Sequence, residues 1–358
     1  MKSIRLGLVG PLPPPAGGMA RQMLQLAELL TQQGVQVELI RTNPDYQPAF
    51  ISRVKGIRAL FRLFGYLVCV YKTVAKVDMF HIMANSGWSW YLFVAPVVWI
   101  AWFKKIPVVL NYRGGEAAKF FSKSWLWIHP TMKKVQMVVV PSPFLSKIFD
   151  ERNIATHIVP NVLDLERFQP SKGARGKKGA PHIIVTRNLE EIYGIGTALK
   201  AFALIRKQFP EALLTIAGSG PLLKELQETT KTLGIDANTD FCGRLDHAQI
   251  AALYQDSDLM LNPSLEDNSP NSIIEALASG VPVISTNVGG IPYLIQSGKN
   301  GMLVEPNDAK EMAGAALRIL GDEELKDRLV AQGSQDVKKF DQNVVVSQLL
   351  DLYVRVLC

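Results

Sequence analysis

Short runs of apolar, β-branched residues recur along the chain and alternate with stretches whose apolar positions return every three or four residues. The first spacing fits strands buried in a sheet and the second fits helices that cover it, so the pattern predicts parallel sheets with crossover helices. In the first half the candidate strands fall at residues 4–9, 35–41, 79–83, 107–112, 136–140 and 156–159. A second series follows at 182–186, 212–217, 239–242, 259–262, 281–285 and 301–304. Two α/β domains result, 1–168 and 182–340. Between them the stretch 169–181, QPSKGARGKKGAP, has no apolar periodicity and is rich in Gly, Pro and cations, which makes it a linker. The stripe Leu349, Leu350, Tyr353, Val354 and Leu357 predicts a last helix whose apolar face needs a partner, so 341–358 is expected to pack back on the N-terminal domain.

Composition leaves this picture intact: 358 residues, 48% hydrophobic and 20% charged, describe an ordinary folded chain long enough for two cores. Charge adds an asymmetry. Residues 1–169 hold 20 Lys+Arg against 9 Asp+Glu, a net of +11, whereas the remainder holds 19 against 23, a net of −4. Any anionic partner surface is therefore expected on the first half. Cys69, Cys242 and Cys358 are odd in number and lack C-x-x-C spacing, so neither a disulfide framework nor a zinc site is expected, and a reducing cytosol fits. The opening MKSIRLGLVG reads as a first strand rather than a signal peptide.

Two segments of the basic half bear on membranes. The run 87–103, GWSWYLFVAPVVWIAWF, is as apolar as a membrane span but short, and Pro96 interrupts it, so it reads as a buried helix or as a membrane contact. In 53–76, Lys55, Arg58 and Arg62 fall on one helical face and Ile57, Leu60, Phe61, Phe64 and Leu67 toward the other. Such a helix suits an anionic bilayer or an ordinary surface. The favoured expectation is a cytoplasmic protein held peripherally on the inner face of the cytoplasmic membrane.

Candidate chemistry sits in two loops. After the first strand comes GPLPPPAGGMARQML, where Gly17 and Gly18 would let backbone N–H groups approach a phosphate or a sugar at a helix N-terminus. It is not a G-x-G-x-x-G loop, which argues against a dinucleotide cofactor. The second is NPSLEDNSPNSIIEALASGVPVISTNVGG, 262–290, in which a helix over 270–279 starts at Pro270 and closes at Gly280. The amides of Asn271 and Ser272 at its N-terminus form an anion site. Asp267 precedes that terminus and Glu275 lies a turn and a half inside it; they are either a helix cap and a surface charge, or ligands for sugar hydroxyls and a ribose diol.

The two acids eight positions apart, followed by ALASGVPVIST and VGGIP, resemble the signature of glycosyltransferase family 4. The resemblance extends along nearly the whole chain, through VVPSPFLSKIF with Ser142, IVPNVLDLERF, LLTIAGSGPLLKEL and FCGRLDHAQIAALYQDSDLMLNPS. It implies the GT-B fold, two Rossmann-like parallel-sheet domains facing a central cleft, and a retaining transfer of sugar from a nucleotide donor, UDP-linked, to a glycan or lipid-linked acceptor. It implies that Glu275 binds the ribose, Asp267 the transferred sugar, Asn271 and Ser272 the phosphates, and that Gly243 and Arg244 border the base. Arg187 would neutralise the diphosphate, and Gly218, in the AGSGP turn, belongs to the same nucleotide site. No prosthetic group, no essential metal and no nucleic acid are implied. A nucleotide-sugar epimerase and a non-catalytic nucleotide-sugar-binding protein share the architecture and stay open as alternatives.

Three positions depart from the family pattern. Tyr193 precedes Gly194 where a lysine is usual, Arg113 with Gly114 replaces a His-Gly pair, and Tyr293 follows VGGIP in place of an acid. The Tyr193 hydroxyl and the Arg113 charge are the expected substitutes. His81, at the end of a strand, is a candidate for acceptor contact or a half-buried structural histidine. Asp256 and Asp258 mimic a D-x-D metal motif, but they fall where a helix hands over to a strand.

Overall fold

The computed structural model describes residues 3–13, 18–43, 57–171 and 180–358. They form two compact units, one of 1–162 with 342–358 and one of 163–341. The chain thus leaves the first unit at Val162, and Leu163 to Phe168 pack with the second.

In the first unit six strands, β1 (Arg5–Gly10), β2 (Gln36–Arg41), β3 (Met79–Ala84), β4 (Val108–Tyr112), β5 (Met137–Val140) and β6 (His157–Ile158), pair in parallel in the order β2-β1-β3-β4-β5-β6. The helices are α1 (Gly18–Gln32), α2 (Ile57–Thr73), α3 (Ala95–Phe103), α4 (Ala117–Met132) and α5 (Pro143–Asp150). Side chains alternate across a strand, and the two faces carry separate cores. Val9, Phe80, Ile82, Val108, Leu110, Val138 and Val140 face α2 to α5. Leu8, Met79, Met83, Val109 and Val139 face α1 and the last helix of the chain, whose Val345, Val346, Leu349 and Tyr353 complete that core.

The second unit repeats the plan. Strands β7 (His182–Val185), β8 (Leu213–Ala217), β9 (Thr239–Gly243), β10 (Leu259–Asn262), β11 (Val283–Thr286) and β12 (Met302–Val304) run parallel in the order β12-β11-β10-β7-β8-β9. Around them lie α6 (Ile195–Ile205), α7 (Leu223–Leu233), α8 (His247–Gln255), α9 (Asn271–Ala278), α10 (Ala309–Gly321) and α11 (Glu323–Asp336); α12 (Gln342–Leu357) then returns to the first unit. Ile183, Val185, Leu259 and Leu261 face α6 and α10, and Ile184, Met260 and Val283 face α8 and α9. Strand order reverses between β1 and β3 in one sheet and between β7 and β10 in the other. At the carboxyl ends flanking such a reversal the two loops diverge and leave a crevice.

The apolar run 87–103 divides between a π-helical turn, Trp90–Val94, and α3, with Pro96 just past the junction, where the wider turn precedes it. Trp90, Val97, Val98 and Ala101 are fully buried, and none of the helices among the described residues is long and apolar enough to cross a membrane. The expected orientation of the helix over 53–76 needs correction. In α2 the core takes Tyr66 and Val70, and Val74 just after the helix, with Leu63 and Leu67 packed against it, whereas Phe61 and Phe64 point to solvent. Lys55 lies outside the described residues.

Candidate functional site

The second unit gathers its chemistry at the β7/β10 reversal. Arg187 follows β7, and its Nε donates to Asn262 Oδ1 (2.8 Å), the last residue of β10, and to Ser264 Oγ (3.2 Å). Its Nη2 forms an ion pair with Asp267, and Tyr193 lies under the guanidinium at 4.8 Å. Burial lowers the Arg187 pKa from 12.5 to about 10, so the cation persists at neutral pH. Asn262 is itself fixed, its Nδ2 donating to Ser285 Oγ of β11 (2.8 Å), and Thr286 bonds the Ser264 carbonyl.

The loop that carries Asp267 is seated by glycines. Gly290 N–H donates to the Asp267 carbonyl (2.9 Å). A Cβ at Gly289 or at Gly290 would collide with the carbonyl oxygens of Asp267 or Asn268, which gives the VGG run its physical reason. Gly218 and Gly220 serve the adjacent strand in the same way. A Cβ at either would strike the backbone of Arg187 or Leu189, so they let the β8 loop press against the β7 loop. Gly218 therefore acts through packing on Arg187. Gly243 has φ +72°, and Arg244 after it donates from Nε to Ser219 Oγ (2.8 Å) at the mouth of the β8 loop.

Helix α9 starts at Asn271 behind Pro270 and ends in a closed turn, with Gly280 N–H donating to Leu277 (3.0 Å) and Val281 N–H to Ala276 (2.8 Å), and Gly280 at φ +69°. The N–H groups of a first turn have no acceptor within their own helix, so Asn271 and Ser272 bring donors to the Asp267 loop. Glu275 is partly exposed on the same helix and accepts from the Tyr254 hydroxyl (3.2 Å). That hydroxyl also bonds the Ser272 carbonyl (3.1 Å) and Thr186 Oγ1 (2.9 Å), the residue just before Arg187. Burial and the nearby Glu275 raise the Tyr254 pKa well above its ordinary value, so it remains a donor.

Asn262 and Ser264 thus join Arg187 and Asp267 in one cluster, Thr186 and Tyr254 join Glu275 in a second, and the chain connects the two where Thr186 precedes Arg187. Nothing in the sequence singles out Tyr254: it is one more apolar position of α8, and only the pairing of β7 with β10 brings it beside Thr186. Tyr193 offers its ring to Arg187 in place of the expected hydroxyl. Asp258 Oδ2 accepts the His182 N–H (2.9 Å) and Asp256 lies 3.3 Å from His182 Nδ1, so both carboxylates tie down the start of β7. Among the described residues there is no group of three His, Cys, Asp or Glu placed to hold a metal.

In the first unit Arg113 follows β4. Its Nε donates to Asn111 Oδ1 (3.2 Å) and its Nη1 to Asn161 Oδ1 (2.7 Å), and burial lowers its pKa to about 10. Asn111 Nδ2 lies 3.1 Å from His81 Nε2, and His81 Nδ1 lies 2.6 Å from the Tyr353 hydroxyl of α12. His81 is fully buried, so it cannot touch an acceptor directly; it anchors α12 to the base of Arg113. A Cβ at Gly114 would collide with Ser86 and Asn85 of the loop after β3. Gly18 begins α1 and is exposed, while Gly17 lies outside the described residues.

The model of the glycosyl transferases group 1 matches residues 168–336, and that of glycosyltransferase family 4 matches residues 16–167. Glycogen synthase of Mycobacterium tuberculosis is 23% identical over 94% of this chain and 91% of its own length. N-acetyl-alpha-D-glucosaminyl L-malate synthase of Bacillus anthracis is 34% identical over 49% of this chain and 45% of its own. Among solved structures, sucrose-phosphate synthase from Thermosynechococcus elongatus superposes with a TM-score of 0.79 at 20% identity, covering 98% of each chain. Anabaena HepE in complex with UDP and glucose gives 0.76 at 17% identity, covering 98% of this chain and 99% of that one. The two Rossmann-like parallel-sheet domains expected from the sequence are found.

The buried histidine makes stability depend on pH. Burial first, and the Arg113 charge second, pull the His81 pKa from 6.5 to about 3. The unfolded chain therefore binds more protons than the folded one between those values, and stability falls as pH falls through that window by about 1.4 kcal/mol per unit. Urea unfolding at pH 7 and at pH 5 is expected to show this loss, and His81→Asn is expected to be less stable at pH 7 but flatter with pH. An equal slope in the variant would assign the acid sensitivity to other groups.

Proposed function

Because the chain belongs to glycosyltransferase family 4, with the group 1 glycosyl transferase domain as its second half, we propose that it moves a sugar with retention of anomeric configuration from a UDP-sugar to a lipid-linked or surface-polysaccharide acceptor. The observation that carries this reading is the placement of the Arg187–Asp267 pair beside the Thr186–Tyr254–Glu275 hydrogen bonds, with Thr186 next to Arg187 in the chain, at the strand reversal of the second unit. A diphosphate entering the crevice takes its charge balance from Arg187 and its hydrogen bonds from the first turn of α9. Glu275, held by Tyr254, accepts the ribose diol. Asp267 then loosens its pairing with Arg187 and accepts from the hydroxyls of the sugar.

Departure of the nucleoside diphosphate builds negative charge beside Arg187, and a fixed buried cation stabilises that charge without reorganising. No carboxylate of the second unit's two clusters is left to serve as a covalent nucleophile, since Asp267 and Glu275 both have binding work. Displacement on the donor's own face, with the leaving phosphate oxygen taking the acceptor proton, satisfies retention. UDP is proposed as the nucleotide because HepE, of the same fold, carries UDP and glucose in its crystals. The acceptor belongs to the first unit, where Arg113 supplies a cation held by two amide oxygens, and the +11 half of the chain suits an anionic carrier at the inner membrane face.

Glu275→Ala is expected to lower kcat for transfer by about a hundredfold or more and to weaken UDP binding by calorimetry; full turnover in this variant contradicts the site. Tyr254→Phe keeps the ring and removes the donor to Glu275, and a rise in Kd for UDP of about tenfold with a smaller change in kcat is expected. Proton NMR of the first-formed product reads its anomeric configuration, and inversion would overturn the assignment of retention. Donor consumed without acceptor, with epimer accumulating, would replace transfer by epimerisation.

A further inference from the structure

The layer α2 to α4 covers one face of the first sheet, and its outer side is unlike the rest of the unit. Phe61, Phe64, Val68 and Tyr71 stand out from α2, Trp102 and Phe103 from the end of α3, and Leu126 and Trp127 from α4. Exposure is not marginal, at 68% for Phe64, 71% for Phe103 and 77% for Trp127. Large aromatic residues gathered like this mark an interaction surface, because a soluble face avoids them.

Cations interleave with the rings. Lys134 places Nζ 3.5 Å from the centroid of Trp102 and 4.6 Å from that of Trp99, and Lys104 lies 5.1 Å over Tyr71. These contacts, with Trp99 Nε1 donating to Thr131 (3.1 Å), tie α2, α3 and α4 into one surface. Between residues 57 and 135 the sequence holds ten Lys and Arg besides the buried Arg113, among them the exposed Lys72, Lys104 and Lys133, against two acids, Asp78 and Glu116. Both acids are paired, Asp78 with Arg5 and Glu116 with Lys119. The face therefore carries uncompensated positive charge around its aromatic rim.

We infer that the outer face of α2, α3 and α4 docks on an anionic lipid bilayer, with Trp102, Phe103 and Trp127 seated at the headgroup level and the lysines on lipid phosphates. Tryptophan and lysine together match the interface, where a ring meets the acyl boundary and an ammonium reaches outward to phosphate. A second copy of this chain is disfavoured as the occupant, because a two-fold contact would set the same cations against each other. The inference deepens the peripheral placement proposed above by naming its surface. It differs from a helix lying alone in the interface: α2 contributes one edge, and the end of α3 with α4 contributes the anchor.

The test is flotation of the full chain with vesicles of phosphatidylglycerol and phosphatidylcholine, beside vesicles of phosphatidylcholine alone. Binding to the mixed vesicles only is expected, and the triple variant Trp102→Ser, Phe103→Ser, Trp127→Ser is expected to bind about tenfold or more weakly. A second variant, Lys72→Glu, Lys104→Glu, Lys133→Glu, is expected to lose binding while the aromatic residues stay. UDP affinity is measured on each variant and is expected to be unchanged, which separates failure of docking from failure of the donor site. Vesicle binding that survives both variants, equal binding to neutral vesicles, or a dimer in sedimentation that the aromatic variant dissociates without any vesicle binding would each overturn the inference.

Discussion

Burying the Arg187 guanidinium at the end of β7 is the constraint from which the second unit's site is built. A cation taken out of water needs both an opposite charge and acceptors for its N–H fork. Asp267 gives the charge, and Asn262 with Ser264 give acceptors from the neighbouring strand. Each partner is then held in turn, Asn262 by Ser285, Ser264 by Thr286 and the Asp267 loop by Gly290. Removing one member of a buried pair leaves the other uncompensated at a cost of about 3–5 kcal/mol. The glycines of two separate motifs follow from the same cause, since only a residue without Cβ lets the β8 loop and the 289–290 turn close around the arginine and its acid.

The first unit solves a similar problem with weaker partners. Arg113 also stands at a strand end and is also depressed to about 10 by burial, yet the oxygens that meet it in the fold belong to the amides of Asn111 and Asn161. Amides orient a guanidinium without neutralising it. A cation that is aimed but not neutralised is suited to an incoming anion, whereas Arg187 begins in an internal ion pair that a ligand must share. His81 and Tyr353 extend the Arg113 arrangement into α12, so the last helix of the chain supports a residue far from it in sequence.

How much of this is legible in the sequence follows from the range of the interactions. Inner strands such as β3, β4 and β10 show as apolar runs because they are buried on both faces, whereas the edge strands β2, β6 and β9 are partly to largely exposed and show only a weaker pattern. Asp267, Glu275 and the glycines show as a motif because they fall within about thirty residues of one another. Tyr254 and Thr186 are invisible there, since their meeting depends on which strands pair and not on spacing. The faces of α2 mislead for a related reason. Both of its sides are rich in large apolar residues, and periodicity cannot say which side a neighbouring helix covers. Asp256 and Asp258 mimic a metal motif for as long as the backbone N–H of His182 is out of sight.

Two of the departures from the family pattern, Tyr193 and Arg113, acquire a physical reading together. Placing Tyr193 where a lysine is usual in the family pattern leaves one positive charge fewer beside Arg187, and its ring takes up a cation–π position 4.8 Å from that guanidinium. That contact adds attraction for the remaining cation without adding charge. On the function proposed above, a single, well-held guanidinium would carry the diphosphate with the amides of α9, whose partial charge acts over only the first turn. Fewer cations also mean less non-selective attraction for any phosphate, so discrimination shifts toward geometry: the reach from Arg187 to the helix terminus, and from there to Glu275. Arg113 moves positive charge in the opposite direction, into the unit proposed to hold the acceptor. On the function proposed above, positive charge moves from the donor side to the acceptor side, which fits an acceptor that itself bears negative charge.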